Sequence, residues 1–126
     1  MPVQYAIVGN VLEFTFTGHT KSHDIYNVFH RAFQDPECPS RVAVLVDNRL
    51  STTRDTRGPA GTKAYAKFFV EYPERPAFTR IAVLLPKAAV PEYSDTIDAV
   101  AQEGGVVIRP FSDEQKAREW LEEPEA

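Results

Sequence analysis

The sequence predicts an α/β fold with a mixed, mostly parallel sheet of about five strands, opened by a β-hairpin and continued by alternating helices and strands. Three observations carry this expectation. Gly9-Asn10, a pair suited to a two-residue hairpin turn, separates two short β-rich runs. Val42-Ala43-Val44-Leu45-Val46 and Ile81-Ala82-Val83-Leu84-Leu85 are apolar at every position, as strands covered on both faces are. Between and around these blocks, apolar residues recur at i, i+3, i+4 and i+7, the period of an amphipathic helix.

Taken in order, residues 5–8 and Val11 to Thr17 read as the two hairpin strands. The second alternates, with Leu12, Phe14 and Phe16 on one face and Glu13, Thr15 and Thr17 on the other. After Gly18, Ile25, Val28, Phe29, Ala32 and Phe33 form one helical stripe. Asp35-Pro36 ends it, because proline disfavours helical geometry in the residue before it. Val42–Val46 is then a central strand, and Asp47 to Gly58 a polar loop. Pro59 suits the first turn of a second helix, with Tyr65, Phe68, Phe69 and Tyr72 along one face and Tyr72-Pro73 closing it. Ile81–Leu85 is the next strand, stopped by Pro86. Pro91 opens a helix that turns Tyr93, Ile97, Val100 and Ala101 inward, and Gly104-Gly105 supplies its left-handed cap. Val106 to Ile108 is a last short strand. Ser112 and Gln115 read as a capping box for a final helix burying Ala117, Trp120 and Leu121. The order β-β-α-β-α-β-α-β-α requires crossover connections and hence a largely parallel sheet. One domain over residues 1–121 is expected, with an acidic tail from 122 to 126 that frays.

Composition excludes several function classes. In 126 residues there are 14 Lys and Arg against 18 Asp and Glu, a net charge of −4, which argues against nucleic acid or a polybasic membrane surface as partner. The apolar blocks are far shorter than a bilayer span, so the chain is not expected to be membrane-embedded. The single cysteine, Cys38, forms no internal disulfide, and the N-terminus shows no secretory pattern, so a cytoplasmic location is expected.

Ligands of such sheets gather beyond the carboxyl ends of the parallel strands. There the sequence places Asp47, Arg49, Arg54 and Arg57 among Ser51, Thr52, Thr53 and Thr56. Residues 49–67 hold five bases and one acid, whereas residues 113–126 hold six acids and two bases. The arginines can serve as an anion or partner site; equally, they can pair with nearby carboxylates, including those of the last helix. The loop lacks the glycine-rich pattern of a phosphate cradle. His19, His23 and His30, with Asp24 and Cys38, match no common metal spacing, so no metal and no cofactor are expected. Cys38 adjoins no basic residue that would favour its thiolate, and Ser51 lies in no nucleophile elbow. Tyr65, Phe68, Phe69 and Tyr72 fill a core, line a pocket or form a dimer contact.

The order of elements resembles the STAS and SpoIIAA-like family of bacterial anti-sigma-factor antagonists, with its Sec14-like lipid-binding relatives. The segment from Arg109 to Leu121, with Phe111, its acidic cap and an Ala-x-x-Trp-Leu ending, is similar to the last strand and helix of that family. In antagonists a strand ending in Asp leads, eight residues later, into Asp-Ser-Ser-Gly, whose second serine is phosphorylated. Here Asp47 is followed eight residues later by Asp55-Thr56-Arg57-Gly58, so Thr56 falls on the first serine and Arg57 on the phosphorylated one. The resemblance implies a fold and a non-enzymatic binding or regulatory role, without the phosphoserine switch.

The leading expectation is therefore a SpoIIAA-like binding domain that recognises a protein, or a small anionic or lipid-like ligand. Asp47, Arg49, Arg54, Thr56, Arg57, Tyr65 and Phe69 are its candidate contact residues. One rival reading is a small α/β enzyme in which Asp47, His30 or Cys38 converge on a cleft. Another is a homodimer formed through the aromatic helix or the hairpin edge.

Overall fold

The computed structural model describes residues 3–52, 63–64 and 66–124, the side chain of Ser22 excepted. Strands β1 (Val3–Val8) and β2 (Val11–Gly18) are followed by helix α1 (Ser22–Gln34) and strand β3 (Arg41–Ser51). Helical residues 63–64 and 66–70 form α2. Strand β4 (Ala77–Leu84), helix α3 (Ala89–Gly104), strand β5 (Ile108–Phe111) and helix α4 (Glu114–Glu122) complete the order. The five strands lie side by side in chain order, the first pair antiparallel and the others parallel. This is the mixed sheet with an opening hairpin that the sequence predicts.

Local chemistry explains the element ends. Val8 pairs with Val11 across Gly9-Asn10. Gly9 has φ +59° while Asn10 stays at negative φ, the arrangement of a Gly-first hairpin turn. Helix α1 ends where Asp35 swings to extended geometry ahead of Pro36. Helix α3 closes on Gly105 at φ +65°, whose N–H donates to Ala101 O.

Side chains sort the molecule into layers. Val42 and Val44 of β3 and Ile81 of β4 join a core with Ile25, Phe29 and Phe33 of α1, Phe69 of α2 and Val100 of α3. Ala43, Leu45, Ala82 and Leu84 point the other way, onto Ala117 and Leu121 of α4. Three helices therefore cover one face and a single nine-residue helix covers part of the other. The thicker side is held by aromatic contacts. Phe14 meets Phe29 and Phe69 edge to face at 5.2 and 5.5 Å, and Phe69 stacks on Phe78 at 4.9 Å. Phe69 thereby ties α2 to both α1 and the sheet.

Several boundaries differ from expectation. Strand β3 does not stop at Val46: its ladder with β2 runs on through Thr15–Asp47, Thr17–Leu50 and Gly18–Ser51, so Asp47 and Arg49 stand on a strand rather than in a loop. Strand β4 begins four residues early, at Ala77, and ends at Leu84, because Arg41 and Val42 extend the pairing. Strand β5 is shifted to Ile108–Phe111, and Pro110 is tolerated because β5 is an edge strand. Helix α2 ends at Val70, so Tyr72 lies beyond it, just ahead of Pro73. Asp113, not Ser112, caps α4, accepting the Lys116 N–H at 3.2 Å. Trp120 is half-buried rather than buried. The chain end is held as far as Pro124, because Arg80 donates to Trp120 O, Glu123 and Pro124 O. Thr53 to Gly58, Pro59 and Tyr65 lie outside the described residues.

Phe14 is fully buried at the junction of β2, α1 and α2. Phe14→Ala is expected to cost about 3–5 kcal/mol, measured as a lowered urea midpoint at unchanged slope.

Candidate functional site

On the α4 face a chain of ion pairs crosses the sheet. Arg118 grips Glu13 of β2 with two hydrogen bonds, of 2.8 and 3.0 Å, and donates to Glu114 at 2.9 Å. Glu114 also accepts from Arg49 at 2.8 Å, and Arg49 holds Asp47 through two side-chain bonds of 3.0 and 2.8 Å. Asp47 additionally accepts the Arg49 backbone N–H at 3.0 Å. Burial pushes the Asp47 carboxyl up, but the Arg49 hydrogen bonds and charge outweigh it and hold Asp47 below the ordinary carboxylate range. Hydrogen bonds from Arg118 and then Arg49 do the same for Glu114. Both guanidiniums are held more firmly protonated in return.

The other face contains a cavity of about 140 Å³ between the sheet and α1, α2 and α3. Its walls are mainly apolar, with Phe29, Phe69, Ile81, Val100 and Ile108 prominent. Five side chains add hydroxyl or amide groups: Thr20, Asn48, Ser51, Tyr93 and Thr96. Among the described residues, the two buried polar side chains, Thr20 and Ser51, both stand in this wall.

Ser51 reaches the cavity because of a β-bulge. Between the Thr15–Asp47 and Thr17–Leu50 pairs, β3 has one residue more than β2. The extra residue reverses the alternation that follows. A straight strand would aim Leu50 into the cavity with Val46 and Asn48. Instead Leu50 is 72% exposed and Ser51 is 7% exposed. The Asp47 carboxylate, accepting the Arg49 N–H, supplies a local partner where the ladder is interrupted.

The structure separates the residues singled out in the sequence. Phe69 lines the cavity, while Asp47 and Arg49 lie across the sheet from it in the ion-pair chain. Arg54, Thr56, Arg57 and Tyr65 lie outside the described residues. His30 is exposed on α1, where its Nδ1 shares a hydrogen bond with the Tyr72 hydroxyl. Asp47 and His30 thus sit on opposite sides of the sheet. Cys38 is half-buried, and burial, then the nearby Asp35 charge, push its thiol pKa up. Among the described residues, no group of three His, Cys, Asp or Glu side chains could hold a metal ion. Lys63 and Lys67 both reach Glu103 of α3, at 3.4 and 3.8 Å.

Sequence reasoning did not find the polar wall or the partners of Arg118. One signal was present: Thr96 interrupts the inward stripe of α3, three residues after Tyr93 and four before Val100. Thr20 and Asn48 carried none, because only the packing of distant elements turns them to the same space.

No family model matches this chain, and no curated protein does. A comparison of folds finds an uncharacterised protein of the DUF3478 family from Shewanella loihica PV-4, with a SpoIIAA-like fold, at a TM-score of 0.60. The match covers 94% of this chain and 91% of that one, at 13% identity. The chain has a SpoIIAA-like fold. No described helix is long and apolar enough to cross a membrane.

The depressed carboxyls give the ion-pair chain a pH signature. Their contribution to stability is complete above the unfolded carboxylate values, roughly pH 4, and is lost as pH falls through the lower folded values. The variant combining Asp47→Asn and Glu114→Gln is expected to melt below the wild type at pH 7. Thermal melts taken from pH 7 down to pH 2.5 should show that gap closing.

Proposed function

We propose that this chain is a non-enzymatic binding domain that takes a small lipid-like ligand into the cavity between its sheet and α1, α2 and α3. The observation that carries the reading is the cavity itself, at the carboxyl ends of the parallel strands where α/β sheets hold ligands. Its size is close to that of an engineered apolar cavity of about 150 Å³ that takes up benzene. The described wall residues can grip by apolar contact and hydrogen bonding, and Phe69 is the candidate contact retained from the sequence. Arg49 is bound on two sides by carboxylates, which favours the cavity over an anion site at that arginine.

Ala66 of α2 stands in the wall and offers room for a larger side chain. Ala66→Leu is expected to fill part of the space and raise stability by about 0.5–2 kcal/mol. In ¹H–¹⁵N NMR titrations, toluene should shift cavity amides such as those of Ile81, Ile97 and Val100 saturably in the wild type but not in the variant. Wild-type spectra that toluene leaves unmoved, or equal shifts in both proteins, would overturn the reading.

A further inference from the structure

We infer that two copies of this chain pair through the open edge of β1, antiparallel and about a two-fold axis at Ala6, so that their sheets join into one.

The hairpin decides which peptide groups face outward. In a two-residue hairpin the flanking residues, here Val8 and Val11, form a hydrogen-bonded pair, and bonded pairs then alternate with non-bonded ones. Ala6–Glu13 and Gln4–Thr15 are therefore bonded, while the peptide groups of Val3, Tyr5 and Ile7 turn away from β2. The next ladder agrees. Asn10 O accepts the Ala43 N–H, so alternate residues from Asn10 onward face β3 and leave Val11 and Glu13 to β1. Among the described residues no strand lies beyond β1. Val3 is buried, so Tyr5 and Ile7, both half-buried, form the accessible part of this edge.

The two edges of the sheet differ in protection. Sheets guard their edges with charges, prolines, bulges and short strands. Strand β5 has four residues, with Arg109 and Pro110 among them. Strand β1 has six, holds no proline and no charged side chain, and pairs with β2 without a shift of register. An unguarded edge is a template for another strand.

The occupant follows from self-complementarity. With Tyr5 opposite Ile7 of a second copy, each N–H of the pair donates to the other residue's C=O, and the two-fold axis repeats the pair. The same register sets Ala6 opposite itself in a non-bonded pair, where Cα atoms approach to about 4.5 Å. Alanine is the smallest side chain of β1 and fits that approach. Tyr5 and Ile7 make an aromatic and β-branched contact on the α1 face, and the exposed Gln4 and Val8 meet on the other. Beside this edge each copy brings one charge of each sign, since Arg31 lies over the Tyr5 ring and Asp35 accepts the Tyr5 hydroxyl. Glu13, across from Ala6, is held by Arg118. A strand of another protein would use the same peptide groups, but the small residue midway between them is what a two-fold pairing needs.

Sedimentation velocity over a rising concentration series should show the wild type passing from monomer to dimer. Ala6→Lys changes an exposed position and brings two ammonium groups together at the axis, so it should weaken the dimer on the order of tenfold or more. Ala6→Cys should oxidise to a disulfide-linked dimer, because the pair meets at disulfide distance. The wild type, which holds Cys38, and Val8→Cys should not. A wild type that stays monomeric throughout would overturn the inference. So would a dimer that Ala6→Lys leaves intact, and its loss in Phe68→Lys would then move the interface to the exposed ring on α2. Cross-linking through Val8→Cys but not Ala6→Cys would overturn the register and the axis at Ala6.

Discussion

Strands that follow one another in space as they do in sequence, joined by parallel crossovers of one hand, must carry all their crossover helices on the same face. The rest of this molecule depends on that constraint. It concentrates α1, α2 and α3 on one side, where the large aromatic core forms, and leaves the opposite face to α4 alone. One face is therefore deep enough to hold a cavity. The other is thin and is held by a small apolar cluster together with a chain of ion pairs.

The two faces solve different packing problems. On the thick side, Phe69 anchors α2 between Phe14, Phe29 and Phe78. The cavity opens beside these rings, with Phe29 and Phe69 in its wall. On the thin side, α4 buries only Ala117 and Leu121. Trp120 adds a ring contact with Phe111 at 5.5 Å, and polar contacts join Arg118 to β2, Glu114 to β3, and Arg80, stacked over the Trp120 ring, to the last turn. Partners of one isolated exposed pair contribute little, but a continuous chain with double hydrogen bonds holds its members in one geometry.

Strand β3 links the two sides. Up to Asp47 it alternates regularly, serving the aromatic core with one set of residues and α4 with the other. At the bulge the Asp47 carboxylate takes up the Arg49 N–H, the Arg49 side chain joins the α4 network, and Ser51 turns toward the cavity. A single irregularity thus assigns the end of one strand to both an ionic contact and a ligand wall. The stretch from Asp47 to Ser51 reads as a loop in the sequence because polarity hides the strand. Its pairing is supplied by β2 and not by its own composition.

The fold class was legible in local patterns, since period-2 and period-3.6 apolar spacing, a Gly-Asn turn and helix stops at proline and glycine are each set by short-range sterics. These residues also identified most core positions, among them Phe14, Phe29, Phe33, Val44 and Val100. The strand ends, the capping role of Asp113 and the fate of Arg49 were decided by tertiary structure. Arg49 lies 65 residues from Glu114: the opposite charges of that segment and the last helix made the pairing one of two readings of the sequence, and the fold selected it. The polar wall was hidden in the sequence. Thr20, Asn48, Ser51 and Thr96 come from three separate segments, and a bulge sets which way one of them points. Spacing along the chain determines what an element is made of, whereas a cavity is a property of how several elements fail to fill the space between them.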